Sequence, residues 1–158
     1  MVNIVATGIS EELLKVLEAQ GLPVKRSLDI EIMPFPADIT AVNDQELMEM
    51  ARSYMENYNF LLTQVACAEL AVTEAENYYK QEEAKLLIQK SADPKIKATT
   101  VKAMILIDPD MQKLAGDLSH AEAYHKLLKT TMDNLERYYQ LTSRELTRRT
   151  SVLKARGY

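Results

Sequence analysis

Glycine, tryptophan and cysteine are scarce in this sequence of 158 residues, which has four Gly, no Trp and one Cys. Few glycines leave few places where a helix must stop, so long uninterrupted helices are favoured. The single cysteine, Cys67, excludes an internal disulfide and suits a reducing compartment. Because it lies inside a helical pattern, it is expected to be a buried, inert thiol.

Long apolar runs and catalytic motifs are also missing. No stretch approaches the ~18 consecutive apolar residues of a membrane span, and the N-terminus lacks a secretory signal pattern. His120 and His125 are five residues apart, so they do not share a helical face as a metal pair would. We expect no enzyme activity, cofactor or metal, and a location in the cytoplasm or in a particle built inside the cell.

Two apolar stripes are the main positive feature. Each steps four, three, four, three along about forty residues, the 3.5-residue average of helices that wind along a partner. The first contains Leu47, Ala51, Tyr54, Tyr58, Leu61, Val65, Ala68, Val72, Ala75, Tyr79, Glu82 and Leu86; the second contains Leu114, Leu118, Ala121, His125, Leu128, Met132, Leu135, Tyr139, Thr142, Leu146, Arg149 and Leu153.

The stripes predict an all-α fold, a long antiparallel coiled-coil-like hairpin formed by residues 44–158 with its tip at about 91–108. The first helix should begin at Asn43 or Asp44 and reach about Lys90. The second should run from Pro109, capped by Asp108, to about Leu153. At the tip, Thr99 or Thr100 is expected to cap a short helix that ends at Ile107.

Two smaller segments precede the hairpin. Residues 1–21 contain a short helix, Ser10–Gln20, capped by Ser10 and stopped at Gly21. Residues 22–43 form an extended arm, since three prolines forbid a continuous helix. Leu28, Ile30 and Ile32 alternate with acids as in a short strand that lacks an evident partner. The arm is expected to pack on a helical body, its own or a neighbour's; a flexible linker is the alternative.

A two-helix ribbon of this length leaves much of each helix in water, so the sequence predicts a homo-oligomer of bundled hairpins, or docking on another protein. A compact four-helix bundle with a hinge at Gly116 is the alternative. Arg149, one of four polar residues in the stripes, is expected to form an intramolecular salt bridge near Glu46 and Glu49. The predicted oligomer interface comprises Leu47, Tyr54, Tyr58, Leu61, Val65, Leu118, Leu128, Met132, Leu135 and Leu146.

Charge is unevenly distributed, although the net charge of −4 gives no global sign of nucleic-acid binding. From residue 137 onwards there are six basic residues and one acid. Beside tyrosines 138, 139 and 158, these arginines suit single-stranded DNA. Structural pairing with acids of the first helix is the competing interpretation. The predicted nucleic-acid-binding residues are Arg137, Arg144, Arg148, Arg149, Lys154 and, at the tip, Lys95 and Lys97.

The segment from Thr100 to Arg149 contains Ile107-Asp108-Pro109-Asp110 and then Ser143-Arg144-Glu145-Leu146-Thr147-Arg148-Arg149. In this layout the chain resembles a group of small helical phage proteins, including the UvsY-type recombination mediators. The resemblance implies a ring-forming protein that binds single-stranded DNA and helps to load a recombinase. A virion or assembly protein acting through protein–protein contacts alone is the alternative, and a small inhibitor or adaptor of a host protein is a third possibility.

Overall fold

The computed structural model describes residues 2–3, 8–22, 24–28, 31–91 and 97–155. Its elements are, in chain order, β1 (Val2–Asn3), α1 (Gly8–Ala19), β2 (Ser27–Leu28), a 3-10 turn (Ile39–Ala41), α2 (Asp44–Ser91), α3 (Ala98–Leu106) and α4 (Pro109–Ala155). The protein is thus all-α apart from two short paired strands, and the predicted long hairpin with a short N-terminal helix is confirmed.

The hairpin consists of α2 and α4, which pack antiparallel along their length. Arg149 of α4 lies beside Asp44 at one end, and Leu86 lies with Leu114 at the other. With 48 residues in α2 and 47 in α4, each helix is about 70 Å long. Because α4 continues without interruption through Gly116, the alternative of a compact bundle hinged there is wrong.

Local capping explains where the long helices begin. The Asn43 side chain accepts a hydrogen bond from the Glu46 backbone N–H at 2.9 Å, and Asp108 accepts one from Asp110 N–H at 3.1 Å, ahead of Pro109. At the tip, α3 begins at Ala98, after Lys97, which forms no side-chain cap. The predicted threonine cap of α3 is therefore wrong.

Helix α1 begins two residues earlier than predicted, and Ser10 lies inside it. The cap comes instead from α2, where the Glu74 carboxylate accepts a hydrogen bond from Ile9 N–H at 3.1 Å. Gly8 has φ +54°, the left-handed conformation that favours glycine, and a Cβ there would lie 2.9 Å from the same carboxylate, so a larger residue would be strained. Gly21, with φ +75°, ends the helix as predicted.

The arm packs on the protein's own helices. Ser53 of α2 donates a hydrogen bond to the Glu31 carbonyl at 2.9 Å and accepts one from Met33 N–H at 3.3 Å. The predicted strand is shorter than expected, and it does have a partner, because β2 pairs antiparallel with β1. Of the three alternating residues, Ile30 lies outside the described residues and Ile32 is exposed and not in a strand.

The larger apolar cluster lies at the open end of the hairpin, which we call the base. Met50, Tyr54 and Leu135 are buried there, with Met33 and Phe35 of the arm packed against them. Phe35 stacks on Tyr138 with ring centroids 4.6 Å apart. Burial, and secondarily the neighbouring Tyr138, raises the pKa of Tyr54 to about 12. The arm thus closes one side of the base.

The smaller apolar cluster lies at the tip. Val101 and Ile105 of α3 and Met111 of α4 are buried there, and Tyr79, Leu86 and Leu114 pack against them. Because α3 has only nine residues, it covers one side of the tip, and several large apolar side chains remain exposed. These are Leu87, Ile88, Met104, Leu106 and Ile107.

The residues predicted as an oligomer interface lie in the seam within one chain. Leu47, Tyr54, Val65 and Leu135 are buried, so they hold α2 against α4 and have little surface left for a second copy. The assignment of these four residues to an interface between copies is therefore wrong. The remaining members are half-buried: Tyr58, Leu61, Leu118, Leu128, Met132 and Leu146.

Candidate nucleic-acid interface

Three arginines of α4 form a row on the side that faces solvent. Arg137, Arg144 and Arg148 are spaced seven and four residues apart, so on an α-helix they project within about 40° of one another. All three are exposed, as is Leu141 between them. At 1.5 Å per residue the charges are about 10 and 6 Å apart along the helix. We call these three arginines, with Lys126, the basic row.

Lys126 was not among the predicted residues. It is exposed and precedes Arg137 by eleven residues, which is close to three full turns, so it extends the row in the same direction. The eleven-residue spacing was visible in the sequence. Asp133, half-buried, is an acid within the row. The basic row therefore carries four cations and one internal anion.

Arg148 is only partly free. Its guanidinium donates hydrogen bonds to both carboxylate oxygens of Glu145, at 2.7 and 2.6 Å, although its side chain remains 58% exposed. Glu145 itself is buried. Hydrogen bonds from Arg148 and then Arg149 lower the pKa of Glu145 to about 2. Among the described residues, Arg137, Arg144 and Lys126 have no ion-pair partner, so these three carry the free charge of the row.

Arg149 faces inwards. It donates to Asp44 at 2.6 Å, to Glu145 at 2.8 Å and to the Val42 and Thr40 carbonyls at 2.7 and 2.9 Å. These bonds join α4 to the end of the arm and the start of α2, and the hydrogen bonds that Arg149 donates to Asp44 and Glu145 raise its pKa. The predicted intramolecular salt bridge therefore exists. Its acids are Asp44 and Glu145 instead of Glu46 or Glu49.

The other predicted residues do not join the row. Lys154 is exposed but projects from a different side of α4. Lys97 precedes α3 at the tip, about 50 Å from Arg144 along the hairpin, and Lys95 lies outside the described residues. Tyr138 and Tyr139 pack against the base cluster, so they are not free to stack on bases, and Tyr158 also lies outside the described residues.

Among the residues that the structure describes, no group of three or more His, Cys, Asp and Glu side chains is placed to hold a metal ion. None of the described helices has both the length and the hydropathy to cross a membrane. The basic row is the arrangement on α4 with a recognisable ligand chemistry, namely phosphate.

The chain was compared with known proteins in three ways. No protein-family model matches it, and no curated protein and no solved structure matches it either.

Proposed function

We propose that this protein is a non-enzymatic helical protein that binds single-stranded nucleic acid along the basic row of α4. The observation that carries the proposal is the alignment of Arg137, Arg144 and Arg148 on one exposed side of a long helix. Guanidinium groups hold phosphates by charge-assisted hydrogen bonds. A single file of cations suits one strand, and exposed Leu141 offers an apolar contact for a base.

Salt dependence is the first test, measured as anisotropy of a labelled single-stranded oligonucleotide. Binding through three or four phosphates should give a slope of log affinity against log salt of about −2 to −3. Replacing Arg137 and Arg144 together with Ala should reduce the magnitude of the slope by roughly 1.4. No binding at low salt would refute the proposal.

Matched charge variants separate the row from a general effect of net charge. Arg52→Ala with Lys85→Ala removes two cations from exposed positions on α2, away from the row, and should leave the slope unchanged. Asp133→Asn removes the one anion within the row and should strengthen binding. Equal losses from the control and the row variants would show that the row is not the site.

A protein that acts through protein–protein contacts alone, in an assembly or a virion, is the second candidate. The observation that favours it is the set of exposed apolar side chains on α1 and at the tip, because such patches commonly mark contact surfaces. Self-association without measurable affinity for single-stranded DNA at low salt would favour this candidate over the first.

A further inference from the structure

Helix α1 directs an apolar stripe into solvent. Ile9, Leu13 and Val16 follow one another at intervals of four and three residues, so they share one side of the helix, and each is about half exposed. The side that contacts α2 contains buried Ser10 and Leu14. The apolar residues of α1 are thus divided between two sides, and the larger share has no cover among the described residues.

A groove that is also lined by apolar side chains lies at the tip, between α2 and α3. It has a volume of 380 Å³, buried Ile105 as its floor, and exposed Leu87 and Leu106 as walls. A groove with an apolar floor between two helices is the usual receptor for the apolar side of a third helix. Its lining residues are Lys80, Glu83, Ala84, Leu87, Lys102, Ile105 and Leu106.

The two surfaces of one chain lie on opposite sides of α2. Helix α1 is held at Glu74 by the hydrogen bond from Ile9 N–H, and Gly8 lies against the same carboxylate. Glu83 of the groove follows Glu74 by nine residues, which corresponds to about half a turn around the α2 axis. A chain therefore cannot place its docked α1 in its own groove, but a second copy can supply one.

The charges of the two surfaces are complementary. Helix α1 carries three acids, Glu11, Glu12 and Glu18, against one base, Lys15. The groove has Lys80 and Lys102 against Glu83, and Lys80 is paired with Glu76 of its own helix. Glu11 and Glu18 are paired with Arg26, whereas Glu12, which flanks the stripe, and Lys102, on the groove rim, have no ion-pair partner among the described residues. These two side chains are suited to pair across an interface.

We propose that the apolar stripe of α1 from one copy docks in the tip groove of a second copy. Each subunit then uses two different surfaces, so the interface is heterologous, and its repetition gives a ring or an open filament. The surfaces lie apart from the basic row, so this inference does not depend on nucleic-acid binding.

Complementation between two variants is the decisive test. Val16→Glu removes the stripe and Leu106→Glu removes the groove wall; both residues are exposed, at 51% and 68%, so the core is spared. By sedimentation at rising concentration, the wild-type chain should form higher oligomers and each variant alone should remain monomeric. An equimolar mixture should form a 1:1 heterodimer and no larger species. The two variants together have only one intact stripe and one intact groove, and the first contact uses both.

Three results would overturn the proposal: a wild-type chain that remains monomeric, a mixture that forms no heterodimer, or one variant that still associates by itself. Leu127→Glu on α4 is the matched control, since Leu127 is equally exposed but belongs to neither surface, and it should associate like the wild type. Circular dichroism establishes that every variant keeps its helix content.

A charge swap tests the predicted pair. Glu12→Lys and Lys102→Glu should each weaken association a few-fold, as expected of an exposed pair, and the double variant should recover much of the wild-type affinity. Simple addition of the two losses would show that Glu12 and Lys102 do not meet. The measurement is the concentration at half-association, determined at low and high salt.

Discussion

The base and the tip of the hairpin share the same seam spacing but are closed by different means. At the base, arm residues 31–42 cover the seam, Phe35 stacks on Tyr138, and Arg149 joins α4 to α2 and the arm. At the tip, α3 buries Val101 and Ile105 but leaves much of its apolar surface in solvent. Elements outside the stripes therefore determine which end is sealed.

This difference predicts that the two ends differ in local stability and in exposed apolar surface. We expect the base to be the more stable part, because aromatic packing and hydrogen bonds between residues far apart in sequence are concentrated there. The tip relies on a small apolar cluster and local turns. Exposed apolar surface with modest local stability is suited to contact with another molecule.

Replacement of Tyr54 at the base should have the largest effect on the free energy of unfolding. Tyr54 is fully buried at the base, so Tyr54→Ala should lower the free energy of unfolding by about 3–5 kcal/mol. Its hydroxyl has no hydrogen-bond partner among the described residues. Tyr54→Phe should therefore be neutral or stabilising by up to about 1 kcal/mol. Urea denaturation measures both.

The matched control for Tyr54 lies at the tip. Met111 is 2% exposed in the smaller apolar cluster, and Met111→Ala should cost about 2–3 kcal/mol, less than Tyr54→Ala, since fewer residues pack around it. A tip variant that destabilised as much as Tyr54→Ala would contradict the assignment of stability to the base.

Arg149 provides the next largest expected effect. Arg149→Ala removes the link between α4, Asp44 and the arm carbonyls, so the denaturation midpoint should fall and amides 31–42 should exchange faster. Arg149→Lys should resemble Ala more than wild type, because an ammonium cannot reach several carbonyls and two carboxylates together. Arg144→Ala, at an exposed position with no ion-pair partner among the described residues, is the control and should have a much smaller effect.

The long helices could be predicted from the sequence, but the packing of the arm against them could not. Helix α2 was expected to end near Lys90 and ends at Ser91, and α4 was expected to end near Leu153 and ends at Ala155. Periodicity and caps are local signals, so they specify such bounds.

The apolar periodicity does not predict a second buried side of α2, because several of the residues on this side are polar. Ser53 is covered by the arm through hydrogen bonds with residues 20 and 22 positions away, a relation that no short-range pattern shows. The members of this side are Met50, Ser53, Asn57, Phe60, Gln64 and Cys67.

The basic end was only partly predictable for the same reason. The row of Arg137, Arg144 and Arg148 follows from spacing alone. The inward orientation of Arg149 depends on where the arm ends, and Glu145 as its second acid was visible only as a spacing of four residues along one helix.

Low pH should destabilise the open end of the hairpin through protonation of Glu145. Its pKa in the folded protein is about 2, below the ordinary value of 4.5, so the folded state favours the ionised form. The resulting stabilisation is fully present above about pH 5 and is lost as the pH falls towards 2. Denaturation midpoints from pH 7 to 2 should fall less steeply for Glu145→Gln than for wild type, and parallel curves would contradict this assignment.

The two helix caps give the smallest effect and test whether base and tip unfold together. Asn43→Ala and Asp108→Ala each remove an N-terminal cap, which should cost about 1 kcal/mol. Because the base is the more stable end, Asn43→Ala should shift global unfolding in urea. If the tip opens separately at lower free energy, Asp108→Ala should accelerate amide exchange in α3 and the first turns of α4 while leaving the global midpoint nearly unchanged. Equal shifts of the midpoint would instead mean that one cooperative unit spans the hairpin, and the contrast between its ends would then be one of exposed surface alone.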